Sequence, residues 1–238
     1  MEQALLAWYG EHARDLPWRK TRDPYAILVS EVMLQQTQVA RVVPRYEGWL
    51  ARWPTVEALG DASVADVIRA WQGLGYNRRA LNLQKAARQV AANGWPDDLT
   101  ELPGVGRYTA DAVARFAHGA SVLPVDVNVR RVLERTGAEF GPASAQALMD
   151  LGATVCHART PRCETCPLAH GCPSRGRKYE ALRKQSRFEG SFRQRRARTL
   201  RLVADESRRL DELDPEVVSA LAADGLVELR AGAVSLPQ

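Results

Sequence analysis

The chain has 238 residues, enough for one sizeable core or two modest ones, with 45% hydrophobic and 26% charged residues, the balance of an ordinary globular protein. No apolar run approaches the roughly 18 residues of a membrane-spanning helix. The start, MEQALLAWYGEH, reads as an acid-bearing amphipathic helix and not as a secretory leader, so a cytoplasmic, nucleoid-associated protein without membrane contact is expected.

Helical spacing dominates the chain, and period-two alternation is nearly absent before the last forty residues. Asp23-Pro24 reads as an N-cap followed by proline at the first helical position, so a helix is expected from there to about Gln38. Further helices are expected at about 62–72, 77–92, 107–118, 128–135 and 143–155, with Gly, Pro and Asn between them. The tail LDPEVVSALAADGLVELRAGAVSLP reads as a helix, then Gly225, then two short strands around Gly232, the pattern of a small winged-helix-like appendage.

A net charge of +5 and a pI near 9.2 favour a polyanionic partner. The cations concentrate in one stretch: Arg175, Arg177, Lys178, Arg183, Lys184, Arg187, Arg193, Arg195, Arg196, Arg198 and Arg201, opposed by Glu180 and Glu189. It reads equally as a solvated basic linker and as a phosphate-contacting arm.

The stretch LPGVGRYTADAVARFAHGASVLPVDVNVRR (102–131) combines a Gly-x-Gly turn, a helix, and an aspartate at the mouth of a second helix. Gly104 and Gly106 lack Cβ atoms and admit a close approach, and the first N–H groups of the helix that follows are open to an anion. A plain turn between helices explains the same residues. Glu31 has Ile27, Leu28 and Leu34 on its helical face, where desolvation favours the protonated carboxyl that a general acid requires. A core glutamate paired with arginine is the structural alternative. Asp126, after a proline and before a helix, reads as an N-cap whose carboxylate the helix N–H groups hold ionised. Two carboxyls tuned apart are the arrangement that cleaves glycosidic bonds.

The only cysteines, Cys156, Cys163, Cys166 and Cys172, are spaced C-x6-C-x2-C-x5-C. Two disulfides, a zinc site and an iron–sulfur cluster are all compatible with four cysteines so close together. The spacing differs from the paired CxxC of zinc ribbons and resembles the cluster loop of the endonuclease III family.

LPWR (16–19), SEVMLQQTQV (30–39), GLGY (73–76), LPGVGRYTA (102–110), VDVNVRRV (125–132) and the cysteine loop together resemble the helix-hairpin-helix DNA glycosylases with an iron–sulfur cluster, and most closely the MutY-type adenine glycosylases. The resemblance covers roughly residues 5–172. It implies an all-α fold, with a six-helix barrel domain over 22–123 and an iron–sulfur cluster domain formed by 1–21 and 124–172. A basic linker (173–195) and a small module (196–238) follow.

The resemblance also implies roles. Glu31 is expected to protonate the adenine ring and Asp126 to stabilise the sugar cation, with Asn128 in support. Tyr108 stands where endonuclease III-like enzymes carry an imine-forming lysine, so a monofunctional enzyme is expected. Gln36 and Tyr76 match residues that enter the base stack, and Arg19 and Leu34 match base-pocket positions, with core packing or surface charge as their structural alternatives. Leu102, Gly104, Val105 and Gly106 form the phosphate-holding hairpin, with a monovalent cation. The cysteines are expected to hold a [4Fe–4S] cluster, and the partner to be double-stranded DNA with a mismatched or damaged base, bound by a monomer. The residues after Cys172 are too few for the MutT-like domain that typical members use to read oxidised guanine. Excision of thymine, uracil or hypoxanthine, or DNA binding without chemistry, are the competing expectations.

Overall fold

The computed structural model describes residues 1–179 and 187–238, so Glu180, Arg183 and Lys184 of the basic stretch lie outside the described residues. In chain order the helices are α1 (Glu2–His12), α2 (Pro24–Leu34), α3 (Val39–Arg52), α4 (Val56–Asp61), α5 (Val64–Ala70), α6 (Arg78–Asn93), α7 (Arg107–His118), α8 (Val127–Thr136), α9 (Ala145–Thr154), α10 (Phe192–Asp205) and α11 (Pro215–Ala223). The strands β1 (Arg208–Arg209), β2 (Glu228–Arg230) and β3 (Ala233–Ser235) form one antiparallel sheet in the order β1-β3-β2. Among the described residues no helix is long and apolar enough to cross a membrane.

The chain divides into two units, Met1–Ile27 with Gly106–Lys184, and Leu28–Val105 with Gln185–Gln238. In the first unit, α1, α8, α9 and the cysteine loop share a core built on Leu5, Val129, Val132, Leu148, Leu151 and Leu168. Polar bonds tie α1 to the approach to α9. Glu2 Oε1 accepts from Gly141 N at 2.8 Å and from Ser144 Oγ at 2.7 Å, and Tyr9 OH donates to Gln146 Oε1 at 2.8 Å.

In the second unit, Trp49 stacks edge-on against Trp53 and Trp71. A second cluster joins Ile68 of α5 and Leu81 of α6 to Leu200, Val217, Leu221, Leu226 and Val234 of the C-terminal segment. Two helices and a hairpin around Gly232 make that segment winged-helix-like, but its core is completed by α5 and α6. A piece this short buries too little apolar surface alone. The observed division also differs from the sequence-based boundaries by grouping α7 with the first unit.

Asp23 caps α2, its oxygens accepting from Tyr25 N at 3.0 Å and Ala26 N at 3.3 Å. The helix ends at Leu34 and not at Gln38, because Gln36 takes a left-handed backbone (φ 56°) that no helix continues through. Three helices escape the sequence reading, α3, α4 and α10. Pro44 lies inside α3, where the ring removes a helix donor, and the burial of Val42, Tyr46 and Trp49 outweighs that loss. In the basic stretch, α10 already begins at Phe192, capped by Ser191. Arg195 pairs there with Asp214 and Glu216, and Arg196 with Asp224.

Candidate active site and cluster loop

In the first unit, Asp126 is the N-cap of α8. Its Oδ1 accepts from Asn128 N at 2.8 Å and Val129 N at 2.7 Å, and its Oδ2 from Asn128 Nδ2 at 2.9 Å. The cap reading and the catalytic reading of this aspartate therefore use the same bonds. Asn128 is held in turn. Arg131 Nη2 donates to Asn128 Oδ1 at 2.7 Å and to Gly152 O at 2.7 Å, while its Nε donates to Cys156 O at 2.8 Å. One guanidinium thus links the first cysteine's backbone to the amide that grips Asp126. Burial pushes the Arg131 guanidinium below its ordinary value.

Arg19 is not a surface charge. Its side chain is 12% exposed and forks onto Asp150, Nη1 to Oδ2 at 2.8 Å and Nη2 to Oδ1 at 2.6 Å. Arg14 reaches the same carboxylate through Nε at 2.6 Å and its backbone N at 3.0 Å. Burial pushes the fully enclosed Asp150 carboxyl up, but Arg19 and Arg14 more than offset this, and it lies below its ordinary range. The sequence reading missed Asp150, since its partners lie more than a hundred residues away and no local motif marks it. Arg19 faces a groove of about 460 Å³ also lined by Tyr9, Trp18, Arg22, Arg115 and Phe116, with no carboxylate on its wall. Tyr108 lies half-buried in the first turn of α7.

In the second unit, Glu31 is 6% exposed on a helix whose residues from Tyr25 to Met33 are all buried. Leu34 is half-buried at the end of that helix. Gln36 and Tyr76 are exposed, and both have positive φ (56° and 47°). Side-chain-bearing residues pay roughly 1–3 kcal/mol for such backbones and keep them where the surroundings impose them.

The hairpin shows why its first glycine is required. Gly104 has φ 78°, and a Cβ there would lie 2.8 Å from Asn82 Cβ on α6. Leu102 and Val105 are buried and the Val105 N–H donates back to Leu102 O at 3.1 Å, so these two anchor the turn while Gly104 and Gly106 stay exposed.

The four cysteines line one pocket with Val132, Arg135, Thr136, Leu151, Val155 and Leu168. Among the described residues no group of three or more His, Cys, Asp or Glu closes around a single metal ion. Four thiolates lining one pocket are the donor set that a [4Fe–4S] cubane takes. Donors are already aimed at the sulfurs: Gly176 N lies 3.3 Å from Cys163 Sγ, and Arg135 Nη1 3.4 Å from Cys156 Sγ. Arg135 is itself buried, bonded to His157 O and Ala158 O at 2.7 Å each, and covered by the Tyr179 ring 3.8 Å away.

Residues 29–152 match the HhH-GPD superfamily base excision DNA repair proteins, and residues 156–172 match the iron–sulfur binding domain of endonuclease III. The chain is 42% identical to the adenine DNA glycosylase of Mycolicibacterium smegmatis, over 94% of this chain and 91% of that protein. It is 46% identical to the adenine DNA glycosylase of Mycobacterium tuberculosis, over 77% of this chain and 74% of that one. Among solved structures, a thermostable thymine-DNA glycosylase aligns with a TM-score of 0.65 at 28% identity, covering 72% of this chain and 93% of that chain. With this match, Cys156, Cys163, Cys166 and Cys172 are the ligands of a [4Fe–4S] cluster.

Proposed function

Because the chain belongs to the HhH-GPD superfamily of base excision DNA repair proteins, and within it to the adenine DNA glycosylases, we propose that it hydrolyses the N-glycosidic bond of adenine mispaired with 8-oxoguanine or guanine in double-stranded DNA. Asp126 carries this reading. Three donors at the start of α8 fix both its oxygens, as a carboxylate that must stand beside a sugar cation requires.

In this mechanism Glu31, buried on α2, gives a proton to the departing adenine, so the base leaves neutral. Asp126 stabilises the oxocarbenium-like sugar by its charge, and water completes the hydrolysis. Asn128 and Arg131 hold Asp126 in place. Tyr108 has no amine and forms no imine with the sugar, so the strand stays intact after base release. Arg19, set by Asp150, and Leu34 each contact the everted base. Gln36 and Tyr76 fill the space left in the stack. Gly104 and Gly106, with a monovalent cation, hold a backbone phosphate without reading sequence. The cluster supplies a metal–thiolate staple that closes the 156–172 loop. The enzyme acts as a monomer in the nucleoid.

The test is single-turnover cleavage of duplexes carrying A·8-oxoG, A·G, T·G, U·G or hypoxanthine, developed with and without alkali. Adenine excision with alkali-dependent scission is expected. Glu31→Gln should lose about 10²–10⁴-fold in rate at undiminished DNA affinity. Excision of thymine or uracil but not adenine would transfer the mechanism to another base, and scission without alkali at the excision rate would refute the monofunctional assignment.

A further inference from the structure

Arg79, on α6, has no part in the bond-breaking step, yet its whole guanidinium is engaged. Nη1 donates to Val32 O at 2.8 Å, Met33 O at 3.1 Å and Gln35 O at 2.6 Å. Nη2 donates to Thr37 Oγ1 at 3.1 Å, Leu74 O at 3.2 Å and Gly75 O at 2.9 Å, and Nε to Tyr76 O at 3.3 Å. The acceptors fall into three groups. Val32 and Met33 belong to the last turn of α2, whose carbonyls have no partners within the helix and favour a cation. Gln35 and Thr37 flank Gln36. Leu74, Gly75 and Tyr76 form the other positive-φ turn.

The two turns are also joined directly, since Thr37 Oγ1 donates to Leu74 O at 3.3 Å. Beneath them Trp71, fully buried, donates Nε1 to Gly75 O at 3.1 Å, and the Arg79 guanidinium lies 5.3 Å from the Trp71 ring centroid and 5.6 Å from that of Tyr76. Burial lowers the Arg79 pKa to about 10, which leaves the group charged at neutral pH. Only a planar fork of five donors reaches all three groups at once; a lysine ammonium offers three donors from a single point.

We infer that Arg79 is a positioning residue for base eversion: it clamps the Gln36 turn and the Tyr76 turn to each other and to the end of the Glu31 helix, so that the wedge is built before DNA arrives. The inference rests on the proposed role of Gln36 and Tyr76 in the base stack. Neither turn is a low-energy backbone by itself, and the clamp removes the ordering that DNA would otherwise have to impose.

The test compares wild type, Arg79→Lys and Arg79→Met on two duplexes. In one, adenine is paired opposite 8-oxoguanine and must leave the stack. In the other, adenine faces an abasic-site analogue and leaves it cheaply. Single-turnover excision is measured on both, and fluorescence of a 2-aminopurine beside the target reports unstacking on binding. Arg79→Lys is expected to lose about tenfold or more on the paired duplex, less than about threefold on the unpaired one, and to weaken the fluorescence rise, with Arg79→Met showing the same pattern more strongly. A merely destabilised enzyme loses rate equally on both duplexes. Equal losses, or no loss, would overturn the inference. The fluorescence rise needs no chemistry, so it judges Arg79 even if wild type excises no base, a result that would count against the proposed function instead.

Discussion

Gly152 is the position where one methyl group tests the architecture of the Asp126 site. It lies inside α9, and its missing side chain lets that helix approach the start of α8. A Cβ there would stand 2.7 Å from Asn128 Cβ, 2.9 Å from Asn128 O and 3.0 Å from Asn128 C. Carbon atoms rest about 3.5–4.0 Å apart, so α8 and α9 must separate by roughly 1 Å. Two effects oppose each other in Gly152→Ala. Helix propensity favours alanine by up to about 1 kcal/mol. Overpacking costs about 1–3 kcal/mol, and part of the clash is with backbone, which cannot rotate away.

The clash should win, leaving a net loss of about 1–2 kcal/mol, or roughly 2–8 °C in melting temperature for a chain of this size. The effect on rate should be larger than the effect on stability. Asn128 is the residue displaced, and it carries two of the three bonds to Asp126. Misplacing a reacting group by about 1 Å can cost on the order of 10²-fold. Gly48→Ala in α3 is the control, because a Cβ there meets nothing within 4 Å and should leave stability equal or higher. Thermal unfolding with single-turnover excision at saturating enzyme decides. A Gly152→Ala variant that melts at or above wild type and excises at an unchanged rate would refute the reasoning.

Asp150→Asn leaves the Arg14 and Arg19 guanidiniums without their buried counter-charge and should cost about 3 kcal/mol, read as a lower urea midpoint at pH 7. The Asp150 carboxyl is held below its unfolded value, so its stabilisation is complete above about pH 4 and is lost as pH falls through its folded value; the gap between wild type and variant should stay constant from about pH 7 to 5 and shrink below about 4. Asp126→Asn separates the two tasks of that residue. Asparagine caps a helix about as well as aspartate, so melting should move little while excision collapses, and a variant with full activity would remove Asp126 from the chemistry.

What the sequence made legible was local. The Asp23-Pro24 start of α2, the Asp126 cap, the glycine of the hairpin and the cysteine spacing each declare themselves within a few residues. What stayed hidden depends on partners far along the chain. Asp150 looks like any helix acid until Arg14 and Arg19 are folded onto it. Arg79 looks like one of two adjacent arginines after Tyr76 until the carbonyls of the 32–37 turn meet it. The C-terminal segment reads as a separate module because nothing in its sequence reveals that Ile68 and Leu81 complete its core. The α3 helix was concealed for the opposite reason, a local signal at Pro44 that tertiary burial overrides.

Two of the failures of local logic meet on one guanidinium. Gln36 and Tyr76 adopt left-handed backbones although glycine would serve those turns better, and Arg79 commits every donor to holding them. A protein selected for stability alone would place glycine at both positions and release the arginine. Retaining long, exposed side chains there has a stability cost, and it becomes intelligible once those side chains must enter a base stack. Asp126 illustrates the converse. Its cap bonds stabilise α8 and fix the carboxylate with the same donors, so one set of bonds serves structure and chemistry and no strain accumulates. On this argument, substitutions that relax the Gln36 and Tyr76 turns should stabilise the fold while weakening base eversion, whereas no substitution at Asp126 gains stability in exchange for lost chemistry.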